Sequence, residues 1–234
     1  MGIKGGIVMK PILFSTPMVQ AILDGRKTMT RRLVKNDDNR GIWAAVNNVR
    51  EMSEYGASVP CYLHREISVD DKSPNIIYPK YDVGDILYVR ETWSRIDDLP
   101  YDNYVYRTNY GTTEDDSFPP SMFKWRPSIH MPRDAARIFL RVTGVRVERL
   151  QDILCGDMKR EGCIPETVTG GQYQQWQRDY WIPLWDSINV KRGYGWDTNP
   201  WVWVYPFERV DQPDYTRTVT KSATDGEFIP DKEG

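Results

Sequence analysis

At 234 residues, with 40% apolar residues and nine tryptophans, the chain can fold as one large domain or as one domain with insertions. It has no apolar run of about 18 residues, so no transmembrane helix is predicted, and the N-terminus carries too short an apolar patch for a signal peptide. Its formal net charge of −2 says little, but the charge is unevenly distributed.

Met1–Met9 read as an extension, and 10–15 as a short strand. Thr16-Pro17 is expected to open a helix over 17–24, with Thr16 as N-cap. Val19, Ile22 and Leu23 supply one buried face, and Gly25 is the expected left-handed terminator. The helix exit then reads Gly-Arg-Lys-Thr-Met-Thr-Arg-Arg, and residues 24–35 hold Arg26, Lys27, Arg31, Arg32 and Lys35 against Asp24 alone. Arg26, Thr28, Arg31 and Arg32 are candidate phosphate ligands. Lys27 and Thr30, three apart, are a candidate base and nucleophile, provided that burial or nearby cations lower the lysine pKa. A phosphate or surface-charge patch is the competing reading of the segment.

Residues 36–80 read as an insertion with one strand at its end. After a turn at Asp82–Asp85, Ile86 to Trp93 is rich in β-formers. Its end places Arg90, Glu91 and Trp93 in the candidate binding set, although the ordinary role of Glu91 is an ion pair with a neighbouring arginine. A second insertion spans about 94–125, with a strand at Tyr101–Thr108. The loop from Trp125 to Arg133 follows, with two prolines that pre-set its backbone. There Trp125, Arg126, Ser128, His130 and Arg133 could stack on and hydrogen-bond a nucleobase; a loop anchored by a buried Trp125 is the alternative.

From Ala136 to Leu150 the apolar phase flips between Val142 and Val145, so a bulge or sharp bend is predicted near Thr143-Gly144. A short helix at 151–161 places Glu161 just before Gly162, where the macrodipole opposes an anion and favours general-acid behaviour; an exposed helix carboxylate is the ordinary alternative. Residues 126–160 carry eight Lys and Arg against four Asp and Glu, which fits either a nucleic-acid face or solvated strand faces. Tyr173, Trp176, Tyr180 and Trp181 mark an aromatic helix that Pro183 should break or bend. Trp201–Tyr205 is a closing strand, and 211–234 an acidic, disordered tail. An α+β fold follows, a small mixed barrel with flanking helices over 10–210.

Three cysteines without paired metal spacing read as free thiols of a reducing cytoplasm, and two histidines leave little for a metal site. No metal or cofactor is expected, and oligomeric state is left open. Leu23–Arg32, Val83–Trp93, the basic strand at 137–149, Lys159–Gly162 and Trp201–Val204 together resemble the ASCH (activating signal cointegrator homology) family. The resemblance implies a PUA-like β-barrel that binds nucleic acid. The Trp125–Arg133 segment and the Leu-Trp-Asp-Ser-Ile-Asn run are similar to phage and prophage proteins of that family. One branch of bacterial amidohydrolases removes the acetyl group from acetylcytidine. Its Lys, Thr and Glu fall on Lys27, Thr30 and Glu161, while Arg31-Arg32 departs from the branch's apolar-then-Arg order. The implied partners are RNA, single-stranded DNA or a modified nucleoside, with a phage protein-interaction module as a further alternative.

Overall fold

The computed structural model describes residues 9–34, 42–46, 61–64, 76–96, 104–110, 123–165 and 173–213. The N-terminal extension, apart from Met9, and the acidic tail beyond 213 lie outside the described residues. Eleven strands are described: β1 (Met9–Leu13), β2 (Met29–Leu33), β3 (Ile42–Val46), β4 (Cys61–His64), β5 (Ile76–Ile77), β6 (Ile86–Arg90), β7 (Trp93–Arg95), β8 (Tyr104–Tyr106), β9 (Phe139–Val142), β10 (Arg146–Arg149) and β11 (Trp201–Val210). The helices are α1 (Thr16–Leu23), α2 (Cys155–Arg160), α3 (Tyr173–Trp176) and α4 (Ile182–Asn189). The class is α+β.

The main sheet has six strands in the order β1-β6-β9-β11-β10, with β2 on β11. The expected closed barrel is not formed among the described residues: β1 stays at an edge. A side chain rather than a strand meets its end, since Arg32 Nη2 donates to the Leu13 carbonyl at 2.7 Å. The insertion at 36–80, expected to hold one strand, contributes three, paired as β3-β4-β5. The strand expected over 86–93 breaks at Glu91-Thr92, so that Trp93 starts β7 and pairs with Tyr106 of β8.

β11 explains the apolar closing run. Val202 and Val204 point to a core of Met29, Leu150, Ile153, Trp181 and Trp185. Trp203, Tyr205 and Phe207 point to the opposite core, with Phe14, Val19, Ile22, Leu87 and Leu140. A strand covered on both faces has no polar side, so its hydrophobicity need not alternate. The predicted break near Thr143-Gly144 is present. Val142 pairs with Phe207 and Arg146 with Val204, so four steps on one strand oppose three on the other.

α1 begins one residue before the expected bound. Ser15 is its N-cap and Thr16 already helical, while Gly25 adopts φ 76° as a left-handed terminator. Pro183 does not end the aromatic helix. A π turn over Gln177–Trp181 precedes it, with the Ile182 N–H bonded to the Gln177 carbonyl. The widened turn accommodates the residue that lacks an N–H.

Candidate functional site

The turn from α1 into β2 and the end of α2 meet at Lys27 and Glu161, which form an isolated antiparallel bridge. The Lys27 side chain has no exposed surface, and its Nζ donates to Glu161 Oε2 at 2.7 Å. The same Nζ donates to the Met29 carbonyl at 2.8 Å and the Glu161 carbonyl at 2.9 Å. A lysine ammonium has three donors, and all three are used here. Burial pulls the Lys27 pKa below the usual lysine range, with the Glu161 carboxylate pulling the other way.

Alternation along β2 sorts the remaining residues of the motif. Met29 and Arg31 point to the α2 and α4 side, where the Arg31 guanidinium lies 5.7 Å from the Trp181 ring centroid. Arg31, expected to contact a phosphate, has no exposed side-chain surface. It donates to Glu148 Oε1 at 2.6 and 2.9 Å, to Asp157 Oδ2 at 2.6 Å and to Glu161 Oε1 at 3.1 Å. Arg146 reaches the same acids, at 2.9 Å from Glu148 Oε2 and 2.6 Å from Asp157 Oδ2. Three cations and three carboxylates thus close a neutral network. Burial works against the Arg31 charge, but the carboxylates outweigh it and leave its pKa raised.

Thr30 and Arg32 take the opposite face of β2. Thr30 is buried and pairs through its backbone with Tyr205, and none of the Lys27 donors goes to its hydroxyl. The structure therefore joins Lys27 to Glu161 but not to Thr30. Arg32 is half-buried, 5.0 Å from the Phe14 ring centroid, and its buried Nε has no hydrogen-bond partner.

The other expected binding residues form a second group. Glu91 is buried and accepts from Thr108 Oγ1 and from Arg137 at 3.0 and 3.2 Å, which is the ordinary ion-pair role rather than a ligand contact. Trp93 is also buried, in a small core with Met131 and Phe139, and is removed from the accessible set. Arg90 Nε donates to the Met131 carbonyl at 2.8 Å and so anchors the loop. Trp125 is half-buried against Tyr110 and Phe123, with Arg107 over its ring. Arg126 is exposed and lies over Trp93, while Ser128 is half-buried and His130 and Arg133 are exposed. This loop is anchored by aromatic packing.

A groove of about 370 Å³ opens beside the Lys27–Glu161 contact. Gly25, Arg26 and Thr28 line it from the turn, and Lys159, Arg160, Ile164 and Pro165 from the end of α2. Among the described residues, no acidic side chain lines it. A larger depression of about 500 Å³ near Arg137 and Arg209 includes Asp211 and lies away from the motif. Arg26 is partly engaged, with Asp24 at 2.8 Å and the Gly162 carbonyl at 3.2 Å. Lys159 and Arg160 are exposed. Sequence reading missed Lys159 and Arg160 as groove residues, and Glu148 and Asp157 as partners of Arg31. The available signal was spacing: Arg146 and Glu148 share a strand face, and Asp157 and Glu161 a helix face.

Cys163 lies half-buried beside this site and donates to the Met158 carbonyl at 3.2 Å. Burial pushes its thiol up to about 12 from 9.0. Iodoacetamide at about pH 8 is expected to label exposed Cys155 and spare Cys163 in peptide maps. The folded state keeps the Cys163 proton where the unfolded chain loses it, so this thiol makes stability fall as pH rises above about 9.

Among the described residues, no helix is long and apolar enough to cross a membrane. Nor is there a group of three or more His, Cys, Asp or Glu placed to hold a metal ion. No protein-family model matches the chain, and no curated protein or solved structure matches it.

Proposed function

We propose that this protein binds RNA or single-stranded DNA, or a nucleotide, by its phosphates in the groove between the α1–β2 turn and the end of α2. The observation that carries the reading is the convergence of Arg26, Lys159 and Arg160 from two chain segments, with no acid in the lining among the described residues. Thr28 adds a hydroxyl, and Ile164 and Pro165 an apolar wall for a sugar or base. Such a groove suits a phosphate backbone, whose binding is dominated by Lys and Arg contacts. The resemblance of the Gly-Arg-Lys-Thr segment to the ASCH family, with its PUA-like fold, points the same way.

Fluorescence anisotropy with short labelled RNA and DNA single strands tests the reading. Three phosphate contacts predict a slope of log K against log salt of about −2, and a shallower slope for an Arg26→Ala/Arg160→Ala variant. No binding of either strand at about 50 mM salt overturns it.

The 2.7 Å contact of Lys27 with Glu161 supports a second reading, the amidohydrolase of acylated cytidines. Thr30 Oγ would attack the acyl carbon, neutral Lys27 would take its proton and pass it through Glu161 to the departing amine, and water would then cleave the acyl–Thr30 ester to release acetate. The burial-lowered lysine pKa favours this role, and the three acceptors already held by Lys27 oppose it. Incubation with acetylcytidine decides. Cytidine release that Lys27→Ala abolishes supports the reading, and absence of release removes it.

A further inference from the structure

We infer that Lys27 and Glu161 are positioning residues, a buried clasp that sets the spacing of the two groove walls without touching the ligand. The inference rests on the groove reading above. The two walls come from segments 134 residues apart, so nothing local in the chain holds them together. α2 has only six residues, too few to keep its shape without tertiary ties. Asp157 and Met158 tie the body of the helix to Arg31, Arg146 and the core, while the ties of its exit gather at the clasp. Lys27 Nζ bonds both the carboxylate and the carbonyl of Glu161. The Thr28 N–H donates to the Arg160 carbonyl at 2.8 Å, and Arg26 Nη1 to the Gly162 carbonyl. Gly162 itself backs onto Lys27 so closely that a Cβ there would sit 2.8 Å from the lysine Cβ. Arg26, Thr28, Lys159 and Arg160 are each within two residues of the clasp, so its geometry fixes theirs.

Charge makes the idea testable by sign. The network is neutral, with Lys27, Arg31 and Arg146 against Glu148, Asp157 and Glu161. Glu161→Gln keeps the side-chain shape and removes one negative charge beside a cationic groove. If charge alone governed capture, this variant would bind a polyanion more tightly. If the clasp positions the walls, it binds more weakly, because Lys27 loses its counter-ion and the walls lose register.

The experiment measures a labelled single-stranded RNA against the full chain and E161Q, with hydrogen exchange at the Thr28 amide of the RNA-free proteins. The expected result is binding weakened about tenfold or more, since small displacements of positioned groups carry such losses, together with faster Thr28 exchange. Should E161Q fail to fold, K27M/E161M carries the same two measurements, because an apolar pair of similar volume can replace a buried ion pair without loss of stability. It is likewise expected to bind more weakly and to exchange faster at Thr28. Equal or tighter RNA binding by the variant, or unchanged Thr28 exchange, overturns the clasp. Failure of the parent protein to bind RNA at low salt would sink the groove reading instead, and Thr28 exchange would still decide the clasp.

Discussion

Arg31→Met is expected to lower the unfolding free energy by about 3–5 kcal/mol, the usual loss when one partner of a buried ion network is removed. The arginine side chain has no exposed surface and bridges Glu148, Asp157 and Glu161. Without it, Lys27 and Arg146 face three carboxylates, and a polar cluster made for balance carries excess negative charge under a tryptophan. Urea denaturation reads the effect as a fall in midpoint at constant slope. Its neighbour supplies the contrast. Arg32 makes one hydrogen bond to the Leu13 carbonyl and buries an Nε without a partner. Arg32→Met removes a bond and an unsatisfied donor together, so its expected loss is about 1 kcal/mol. Similar losses at the two positions would contradict the opposite facings of Arg31 and Arg32 on β2.

Gly162→Ala is expected to destabilise the fold by about 2–5 kcal/mol, combining left-handed backbone strain with overpacking. Gly162 has φ +72°, and an added Cβ would stand 2.8 Å from Lys27 Cβ and 2.9 Å from Ala21 Cβ. Neither contact is the free end of a flexible side chain. Gly25 shares the strain, with φ +76°, but an added Cβ would meet nothing within 4 Å. Gly25→Ala should therefore cost only about 1–2 kcal/mol, the backbone term alone. Thermal melts of the two variants separate conformation from crowding. Equal losses would show that the close approach of the α2 exit to the α1–β2 turn is relaxed in solution.

Much of the framework was legible because its causes are local. Proline near a helix start, glycine past its end and an apolar run at 201–205 each act within a few residues. The fate of Arg31 was not local. Met29-Thr30-Arg31-Arg32 shows no apolar alternation to say which face is inward, and the acids that neutralise Arg31 lie 117 and 126 residues away. A basic cluster therefore read as a set of surface ligands when its second arginine, Arg31, is an internal strut. Glu91 was open to a simpler reading, since a carboxylate on an apolar strand usually finds an arginine, and it finds Arg137. The open sheet could not be foreseen either, because closure depends on whether the two edges meet, and no spacing along the chain encodes that. Of the break or bend expected at Pro183, the break does not occur, because a π turn just upstream had already changed the hydrogen-bond pattern and the helix continues over Ile182–Asn189.

The single extra residue between β9 and β10 has a reach beyond its own turn. In β9, Leu140 and Val142 face the core under α1, whereas in β10 it is Val147 that does so. The bulge thus works as a phase shifter. Downstream of it, the even-numbered side chains, Arg146 and Glu148, come out on the side of Arg31 and Asp157. The same residues in an unbulged strand would pair Arg146 with Trp203 and drive that arginine and that glutamate into the aromatic core. Arg31 would then lose Glu148 on the far side of the sheet. The assembly of the charges is therefore addressed by a count of residues along one strand.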